Sequence, residues 1–318
     1  MNQPIVVVTD TEFAKAEHVF TSATDVRCVA SPAGEAQLAA AIHEAGARFA
    51  IVGILKYRDA LYSALRRGGV IARFGVGHDG IDKAAATRAG VLCTNTPGVL
   101  DQSVAELTML LMLSAARHMT LLDRDMKDRI WTQQLGTELS GKTLAVIGCG
   151  RIGGTVARMA GTGFGMKVQC VGRDDDFAAT VREADFVSLH VPATADNRHF
   201  LNRERLAMLP RHAWLINTAR GSVVDEAALY EALAERRLAG AALDVFEREP
   251  YEPDDPARDL RTLPNVILTP HVGSHTPEAS GRIAERALRN VRLAAAGDFA
   301  AMDLVNPEVL LHPPSSEG

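Results

Sequence analysis

Three residues of this sequence, Arg220, Glu249 and His271, carry side chains with complementary chemistry. Arginine is a permanent cation whose planar guanidinium suits a carboxylate and an adjacent carbonyl oxygen. Histidine exchanges a proton near neutral pH, and a glutamate beside it would orient the ring and stabilise the imidazolium. We therefore expect these residues to transfer a proton beside a bound carboxylate.

A glycine-rich turn follows a short apolar run near the middle of the chain, in the segment LAVIGCGRIG at 144–153. An apolar run of this length is typical of a buried parallel strand. Gly148, Gly150 and Gly153 would allow a tight turn, close approach of the backbone to a pyrophosphate, and close packing of the next helix. The phosphates would bind free amides at the N-terminus of that helix, where the helix dipole favours anions. This motif predicts a dinucleotide-binding domain.

Strand-like runs alternate with helical stretches in two series, one between residues 5 and 93 and one between residues 144 and 269. This alternation predicts an α/β protein with two doubly wound parallel sheets. The predicted strands are Ile5–Thr9, Val26–Val29, Phe49–Val52, Ile71–Phe74, Val91–Cys93, Leu144–Ile147, Lys167–Val171, Phe186–His190, Trp214–Asn217, Ala241–Val245 and Val266–Thr269.

The candidate catalytic residues all follow predicted strands. Ligands of open α/β sheets bind beyond the carboxyl ends of the strands, so these side chains would face one cleft. With a nicotinamide as hydride donor, the cleft would reduce a 2-keto acid: His271 donates the proton and Arg220 polarises the carbonyl. Backbone amides at Val76 and Gly77, in another strand-end loop, would hold the substrate carboxylate.

The same strand-end rule predicts that further segments contact the dinucleotide. Val191 and Pro192 follow the strand that ends at His190, and Thr218 and Ala219 follow the strand that ends at Asn217. These four residues are candidate contacts for the dinucleotide.

With 318 residues, the chain exceeds what one hydrophobic core usually supports, and two domains are expected. The glycine-rich motif begins near the middle, so the dinucleotide-binding domain would be a central insert at 99–278. Residues 1–98 and 279–318 would then form the substrate domain. Two long amphipathic stretches, Val99–Arg117 and Pro277–Ala296, are interpreted as interdomain helices.

Composition narrows the class of protein. A net charge of −5 gives no basic surface for nucleic acid or anionic membrane, and 47% hydrophobic residues indicate an ordinary globular protein. The start, MNQPIVVVTD, has neither a cationic leader nor a long apolar run, which favours a cytoplasmic location. The four cysteines lack CxxC or CxxH spacing, so we expect buried, reduced thiols and no metal site.

Several segments together resemble the D-isomer-specific 2-hydroxyacid dehydrogenases, the family that includes glyoxylate and hydroxypyruvate reductases, phosphoglycerate dehydrogenase and formate dehydrogenase. They occur in the family's order and cover most of the chain. The segments are GVGHDGID at 75–82, NTPGVL at 95–100, GKTLAVIGCGRIGGTVA at 141–157, LHVPAT at 189–194, NTARGSVVDE at 217–226, ALDVFEREP at 242–250 and LTPHVGSHT at 268–276.

The resemblance implies a central Rossmann domain inserted in a flavodoxin-like substrate domain, and a homodimer formed through the nucleotide-binding domain. It implies Arg220, Glu249 and His271 as the catalytic set. It also implies that Leu55 lies in a loop lining the pocket for the substrate side chain. Cofactor contacts are implied for Val104, Arg151, Ile152, Thr218, Asp244, Gly273 and Ser274.

The choice between NADP and NAD depends on the end of the second strand of the dinucleotide-binding domain. Family members that use NAD commonly carry an aspartate there, whereas this chain has Gly172 followed by Arg173. An acid accepts the ribose hydroxyl and an arginine accommodates a 2′-phosphate, so the pattern favours NADP. The stretch MAGTGFGM at 159–166 is one residue longer than the usual pattern, which leaves Asp174 as the acid and NAD as the alternative.

Two classes of function fit the sequence. The first is an NAD(P)-dependent enzyme acting on a small acid such as glyoxylate or hydroxypyruvate, with phosphoglycerate, formate or phosphite oxidation as alternatives in the same superfamily. The second is a dinucleotide-sensing binding protein, because transcriptional corepressors resemble this family. Corepressors generally carry long disordered extensions, which favours the enzyme for this chain.

Overall fold

The chain divides into two compact units, one formed by residues 1–100 with 274–318 and the other by residues 101–273. We call them the first unit and the second unit. The computed structural model describes residues 3–311. No helix in that range is long and apolar enough to span a lipid bilayer.

The first unit contains a five-stranded sheet in which all strands are parallel, with the order β2-β1-β3-β4-β5. This is the flavodoxin-like order, and it confirms the predicted fold class. The central strands are apolar except at the carboxyl ends of β1 and β4, where Thr9 and Arg73 stand, because helices cover both faces of a parallel sheet. The strands are β1 (Ile5–Thr9), β2 (Arg27–Ser31), β3 (Phe49–Val52), β4 (Val70–Arg73) and β5 (Leu92–Thr94).

Helices of the first unit follow the strands, and local signals set their ends. The carboxylate of Asp82 accepts a hydrogen bond from the amide of Ala85 and so begins α5. Gly46 adopts a positive φ of 61° and ends α3. The short helices α1 and α2 were not predicted. The helices before residue 100 are α1 (Asp10–Lys15), α2 (Glu17–Ser22), α3 (Glu35–Ala45), α4 (Ala60–Leu65) and α5 (Lys83–Ala89).

The second unit contains a six-stranded, fully parallel sheet with the order β11-β10-β9-β8-β6-β7. This is a doubly wound order in which β11 adds a sixth strand at one edge, as expected for a dinucleotide-binding sheet. Its strands are β6 (Thr143–Ile147), β7 (Lys167–Val171), β8 (Phe186–Leu189), β9 (Trp214–Asn217), β10 (Gly240–Leu243) and β11 (Val266–Leu268).

The two long helices that sequence analysis interpreted as links each pack within one unit. Helix α6 (Asp101–Ala116) packs against α8 (Arg151–Arg158) and against strands β9 and β10 of the second unit. Helix α12 (Pro277–Ala295) packs against β4 and α2 of the first unit. The remaining helices are α6 (Asp101–Ala116), α7 (Met119–Lys127), α8 (Arg151–Arg158), α9 (Phe177–Val181), α10 (Arg203–Leu206), α11 (Glu226–Ala234) and α12 (Pro277–Ala295).

A single π-helical turn, Met159–Gly163, continues α8. A π turn closes i→i+5 hydrogen bonds and therefore holds more residues per turn than an α-helix. The strand that follows this turn, β7, has its predicted bounds, Lys167–Val171. As a result Gly172, rather than an aspartate, directly follows β7.

The prediction of four reduced, buried cysteines is wrong for two of them. Cys149 and Cys170 form a disulfide with a Cα–Cα distance of 5.7 Å, and both residues are exposed. Strands β6 and β7 pair with Val146 opposite Cys170. The glycine turn that follows β6 then places Cys149 beside β7, where it meets Cys170. A separation of 21 residues is no recognisable motif, so the sequence did not reveal the pair. Cys28 and Cys93 are free thiols; Cys93 is buried as predicted, whereas Cys28 is half-buried.

One glycine near the candidate site leaves no room for a side chain. A Cβ at Gly221 would overlap the backbone of Phe246, which cannot move without displacing the loop after β10. We expect Gly221→Ala to lower the free energy of unfolding by about 3 kcal/mol, as for a severe overpacking change.

The matched control is Gly154→Ala in α8, where the added Cβ would lie 3.8 Å from the carbonyl oxygen of Cys149, an ordinary van der Waals contact. There alanine should raise the stability by about 0.5–1 kcal/mol, because glycine weakens a helix interior. Urea unfolding measures both changes, and equal effects of the two substitutions would contradict the packing argument.

Candidate functional site

The candidate site begins at the carboxyl ends of three neighbouring strands of the second unit, β9, β10 and β11. The amide of Asp244 donates a hydrogen bond to the carbonyl of Asn217 (2.9 Å), and the amide of His271 donates to the carbonyl of Asp244 (2.8 Å). The backbone thus continues the sheet's hydrogen bonding beyond the strands. The loops that carry Arg220, Asp244 and His271 therefore lie side by side.

His271 and Glu249 form a close pair. The Nδ1 atom of His271 lies 2.7 Å from Oε2 of Glu249, and the other carboxylate oxygen accepts a hydrogen bond from the amide of Phe246 (3.1 Å). Each side chain is about a quarter exposed, at 27% and 23%. Since Nδ1 is held by the carboxylate, Nε2 is the ring nitrogen left for proton exchange.

The backbone at His271 has a φ of 53°, in the left-handed region that residues other than glycine rarely adopt. Asp244 holds this turn in place: its carboxylate accepts hydrogen bonds from Thr269 Oγ1 (2.6 Å) and from the amides of Val272 (2.8 Å) and Gly273 (2.9 Å). Burial raises the pKa of Asp244, and these hydrogen bonds oppose that rise. Asp244 therefore determines where His271 lies.

Arg220 follows β9 and is half-buried. Its Nη1 donates to the carbonyl of Ala219 (2.6 Å), and its own carbonyl accepts from Nδ2 of Asn217 (3.0 Å). Thr218 is buried beside it and shares a hydrogen bond with the hydroxyl of Thr108 on α6 (2.8 Å). These bonds hold the segment after β9 at both its backbone and its side chains.

The glycine-rich turn has the geometry that its sequence predicts. Gly148 has a φ of 91°, and a Cβ there would lie 2.8 Å from the carbonyl oxygen of His190 and from Val191. A Cβ at Gly153 would overlap the carbonyl of Gly148. Gly150 precedes α8 without a side-chain cap, so the first amides of the helix face no capping group. This arrangement fits a bound pyrophosphate.

At the end of β7, a carboxylate lies where the ribose of a dinucleotide would be expected. It belongs to Asp175, whose Oδ2 accepts a hydrogen bond from the amide of Gly172 (2.6 Å). Arg173 and Asp174 are exposed in the same loop. The sequence predicts Asp174, and not Asp175, as the alternative acid, because a loop that folds back on its own strand end carries no sequence motif.

The first unit brings together the two loops predicted to bind substrate. Gly75 has a φ of 134°, and the carbonyl of Val76 accepts a hydrogen bond from Nδ2 of Asn95 (2.7 Å). Gly80 lies against the other loop, because a Cβ there would be 2.6 Å from the carbonyl oxygen of Leu55. Gly77, in the loop that follows β4, is half-buried. The side chain of Leu55, in the loop that follows β3, is 49% exposed.

The other predicted cofactor residues have separate local partners. Val104 is buried on α6, 3.4 Å from where a Cβ on Gly273 would lie, and Ser103 Oγ donates to the carbonyl of Gly273 (2.8 Å). Arg151 forms an ion pair with Asp101 (3.1 Å). The rest are Ile152, half-buried in α8; Pro192, whose carbonyl accepts from Asn197 Nδ2 (3.0 Å); and Ser274, at the start of the first unit's second segment.

Comparison with known proteins identifies the family. Residues 109–273 match the model of the NAD-binding domain of D-isomer-specific 2-hydroxyacid dehydrogenases. The chain belongs to this family. It is 41% identical to the glyoxylate reductase of Korarchaeum cryptofilum over 265 residues. The aligned residues cover 77% of this chain and 78% of that protein. The dehydrogenase is therefore an NAD(P)-dependent oxidoreductase.

Solved structures agree with this assignment. The D-lactate dehydrogenase of Aquifex aeolicus, solved with NAD and lactic acid, has a TM-score of 0.82 and 30% identity, covering 95% of this chain and 99% of the other. The NADPH-dependent glyoxylate/hydroxypyruvate reductase of Sinorhizobium meliloti, solved with NADP and malonate, has a TM-score of 0.80 and 28% identity, covering 96% and 98%.

Sequence reasoning missed two carboxylates that position the loop carrying Glu249. The amide of Glu226 donates to Oε1 of Glu247 (3.1 Å), and the amide of Glu247 donates to Oε1 of Glu226 (2.5 Å). This reciprocal pair ties the start of α11 to the loop of the dehydrogenase that follows β10. The two residues are separated by 21 positions, and nothing in either segment indicates the pairing.

Burial raises the pKa of Glu226 to about 7, from an ordinary value of 4.5, and the charge of Glu247 adds to that rise. The folded dehydrogenase therefore keeps a proton that the unfolded chain releases above about pH 4.5, and its stability falls as the pH rises from about 4.5 to 7.

Glu226→Gln should remove this fall, because glutamine keeps the acceptor oxygen but carries no charge. At pH 8 we expect the variant to melt about 2 °C higher than the parent protein, and at pH 4.5 we expect equal melting temperatures. Differential scanning calorimetry measures both, with Glu204→Gln on the exposed surface as control. A variant that melts below the parent at pH 8 would contradict the argument.

Proposed function

We propose that this dehydrogenase interconverts a small 2-keto acid of the glyoxylate or hydroxypyruvate type and its D-2-hydroxy acid, with NADP(H) preferred over NAD(H). The observation that carries the proposal is the hydrogen-bonded pair of His271 and Glu249, at 2.7 Å, in a loop adjacent to that of Arg220. Relatives named glyoxylate reductase support the substrate class.

In this proposal, each catalytic residue has one task in the reduction. A bound nicotinamide would supply the hydride for the carbonyl carbon, and Nε2 of His271 would donate the proton that the carbonyl oxygen requires. Glu249 orients the ring through Nδ1 and stabilises the imidazolium that donates. The guanidinium of Arg220 binds the substrate carboxylate and polarises the neighbouring carbonyl oxygen. In the oxidation direction, His271 accepts the same proton.

Further substrate contacts are assigned to backbone and apolar groups of the first unit. Amides at Val76 and Gly77 would hold the carboxylate, and the tight packing of Gly80 against the carbonyl of Leu55 supports a single binding surface formed by both loops. Leu55 would contact the substrate side chain. A short apolar contact of this kind suits a small acid.

The dinucleotide is assigned to residues of the second unit and to Ser274, which directly follows it in sequence. The first amides of α8 and the uncapped turn at Gly150 support binding of the pyrophosphate there. The other residues proposed to contact the cofactor are Val104, Gly148, Arg151, Ile152, Gly153, Arg173, Val191, Pro192, Thr218, Ala219, Asp244, Gly273 and Ser274.

NADP(H) is proposed because Gly172 follows β7 where an acid would receive the ribose hydroxyls, and the exposed Arg173 stands next to it. NAD(H) is the second candidate, and one observation favours it. The carboxylate of Asp175 folds back to the amide of Gly172, where it would accept a ribose hydroxyl and repel a 2′-phosphate.

A homodimer through the second unit is also proposed. Large apolar side chains are exposed in the region from α6 to residue 135, including Trp131 at 79% and Leu135 at 96% exposure. Exposed apolar groups concentrated in one segment mark an interaction surface. Sedimentation equilibrium should give twice the chain mass, and Leu135→Glu should shift the population toward the single chain.

A substrate screen tests the proposed activity. Glyoxylate, hydroxypyruvate and pyruvate are assayed with NADPH and NADH separately, beside formate, phosphite and 3-phosphoglycerate in the oxidising direction. Oxidation of any of these three without reduction of a keto acid would contradict the proposed substrate. Dinucleotide binding with no turnover of any acid would favour a sensing protein instead.

His271→Ala tests the proton donor. The variant should lose about 10²-fold or more in turnover, since general acid catalysis contributes on that scale, while its dinucleotide affinity stays within twofold. Fluorescence titration measures the affinity, and His212→Ala on the exposed surface is the control. Unchanged turnover in the His271 variant would exclude its role.

Arg173→Ala tests the cofactor preference. If the guanidinium binds the 2′-phosphate, the Kd for NADPH should rise by about tenfold, as expected for one lost charge-assisted hydrogen bond, and the Kd for NADH should change little. Asp175→Asn is the matched variant, and it should weaken only NADH if NAD(H) is the cofactor. Equal effects of Arg173→Ala on both nucleotides would contradict the NADP proposal.

A further inference from the structure

One of the two cysteines of the disulfide lies within the glycine-rich turn. Cys149 stands between the first two glycines of the motif, and Cys170 is near the end of β7, two residues before Gly172. The bridge therefore joins the segment whose geometry fits a pyrophosphate to the strand whose end would receive the adenosine ribose. Neither sulfur is needed for the core of the second unit, because both residues are exposed.

The two remaining cysteines differ from this pair in their surroundings. Burial raises the pKa of the Cys28 thiol to about 11 and that of the Cys93 thiol to about 12. Only thiolates attack disulfides or oxidants, so these two side chains stay inert near neutral pH. Cys149 and Cys170 are accessible to reagents, and their Cα atoms are within bonding range at 5.7 Å.

We propose that Cys149 and Cys170 form a reversible redox switch, in which the disulfide form binds the dinucleotide more tightly than the dithiol form. The proposal rests on the proposed dinucleotide binding at this turn. Oxidation by a low-molecular-weight disulfide joins the two sulfurs and yields two molecules of the small thiol, which take up both protons and both electrons. Reduction by two small thiols reverses the exchange.

The direction follows from the geometry of the bonded state. With the bridge present, Gly148 already has the φ of 91° that the turn requires, and α8 already begins at Arg151 with Gly154 bonded to the carbonyl of Gly150 (2.8 Å). A crosslink between the turn and β7 limits the motion of both. A site held in its binding conformation loses less entropy when the ligand binds, and this raises affinity. Reduction releases the turn from the strand.

Counting thiols tests the bond. The full chain is equilibrated with oxidised or reduced glutathione, denatured, and alkylated before mass spectrometry. We expect two labelled cysteines after oxidation, Cys28 and Cys93, and four after reduction. Four labels in both states would overturn the proposal.

Isothermal titration with NADPH and with NADH then tests the linkage. Oxidised protein should bind its preferred nucleotide three- to tenfold more tightly than reduced protein. The double variant Cys149→Ser with Cys170→Ser should bind equally in both states, at the affinity of the reduced parent. The variant Cys28→Ser, which keeps the pair, should respond like the parent.

The outcomes separate this proposal from the one on which it rests. Equal affinities of oxidised and reduced protein, or weaker binding by the oxidised form, would overturn the switch and leave the proposed function intact. Absence of binding of either nucleotide in both states would contradict the proposed function itself. The thiol count is independent of nucleotide binding and therefore tests the bond in either case.

Discussion

The in-register parallel pairing of β9, β10 and β11 is the constraint on which the candidate site depends. Asn217, Leu243 and Leu268 lie side by side at the ends of these strands. Because the strands end together, their following loops begin at one edge of the sheet, and backbone hydrogen bonds continue through Asp244 to His271. A slip of one residue would move every side chain of a strand to the opposite face.

Charge near this edge is tolerated because each carboxylate is held by hydrogen-bond donors. Asp244 accepts three, from one hydroxyl and two amides, and Glu249 is held by an amide and by the imidazole of His271. Burial of an unpaired carboxylate would cost several kcal/mol, so these donors are a condition for the site and not an accessory. At Glu226 the hydrogen bonds do not fully offset the cost of burying the charge, and its pKa is therefore raised.

Local pattern was enough to predict the strands and the glycine turn. Each predicted strand is observed within one or two residues, because β-branched and apolar runs bounded by polar loops have few alternatives in a parallel sheet. Gly148 and Gly153 were predicted to serve a turn and a close packing, and the structure has both. Arg220 and His271 could be named because strand ends in this fold are where ligands bind.

The sequence by itself therefore determined the two parallel sheets, the family and the chemical types available at the strand ends, since these depend on short segments and their order. Only the tertiary structure decided which side chains pair. The Cys149–Cys170 bond, the reciprocal hydrogen bonds of Glu226 and Glu247, and the return of Asp175 to Gly172 each depend on distances set by packing. Residues far apart in sequence carry no local signal of such contacts, because the contact forms only when the elements between them have folded.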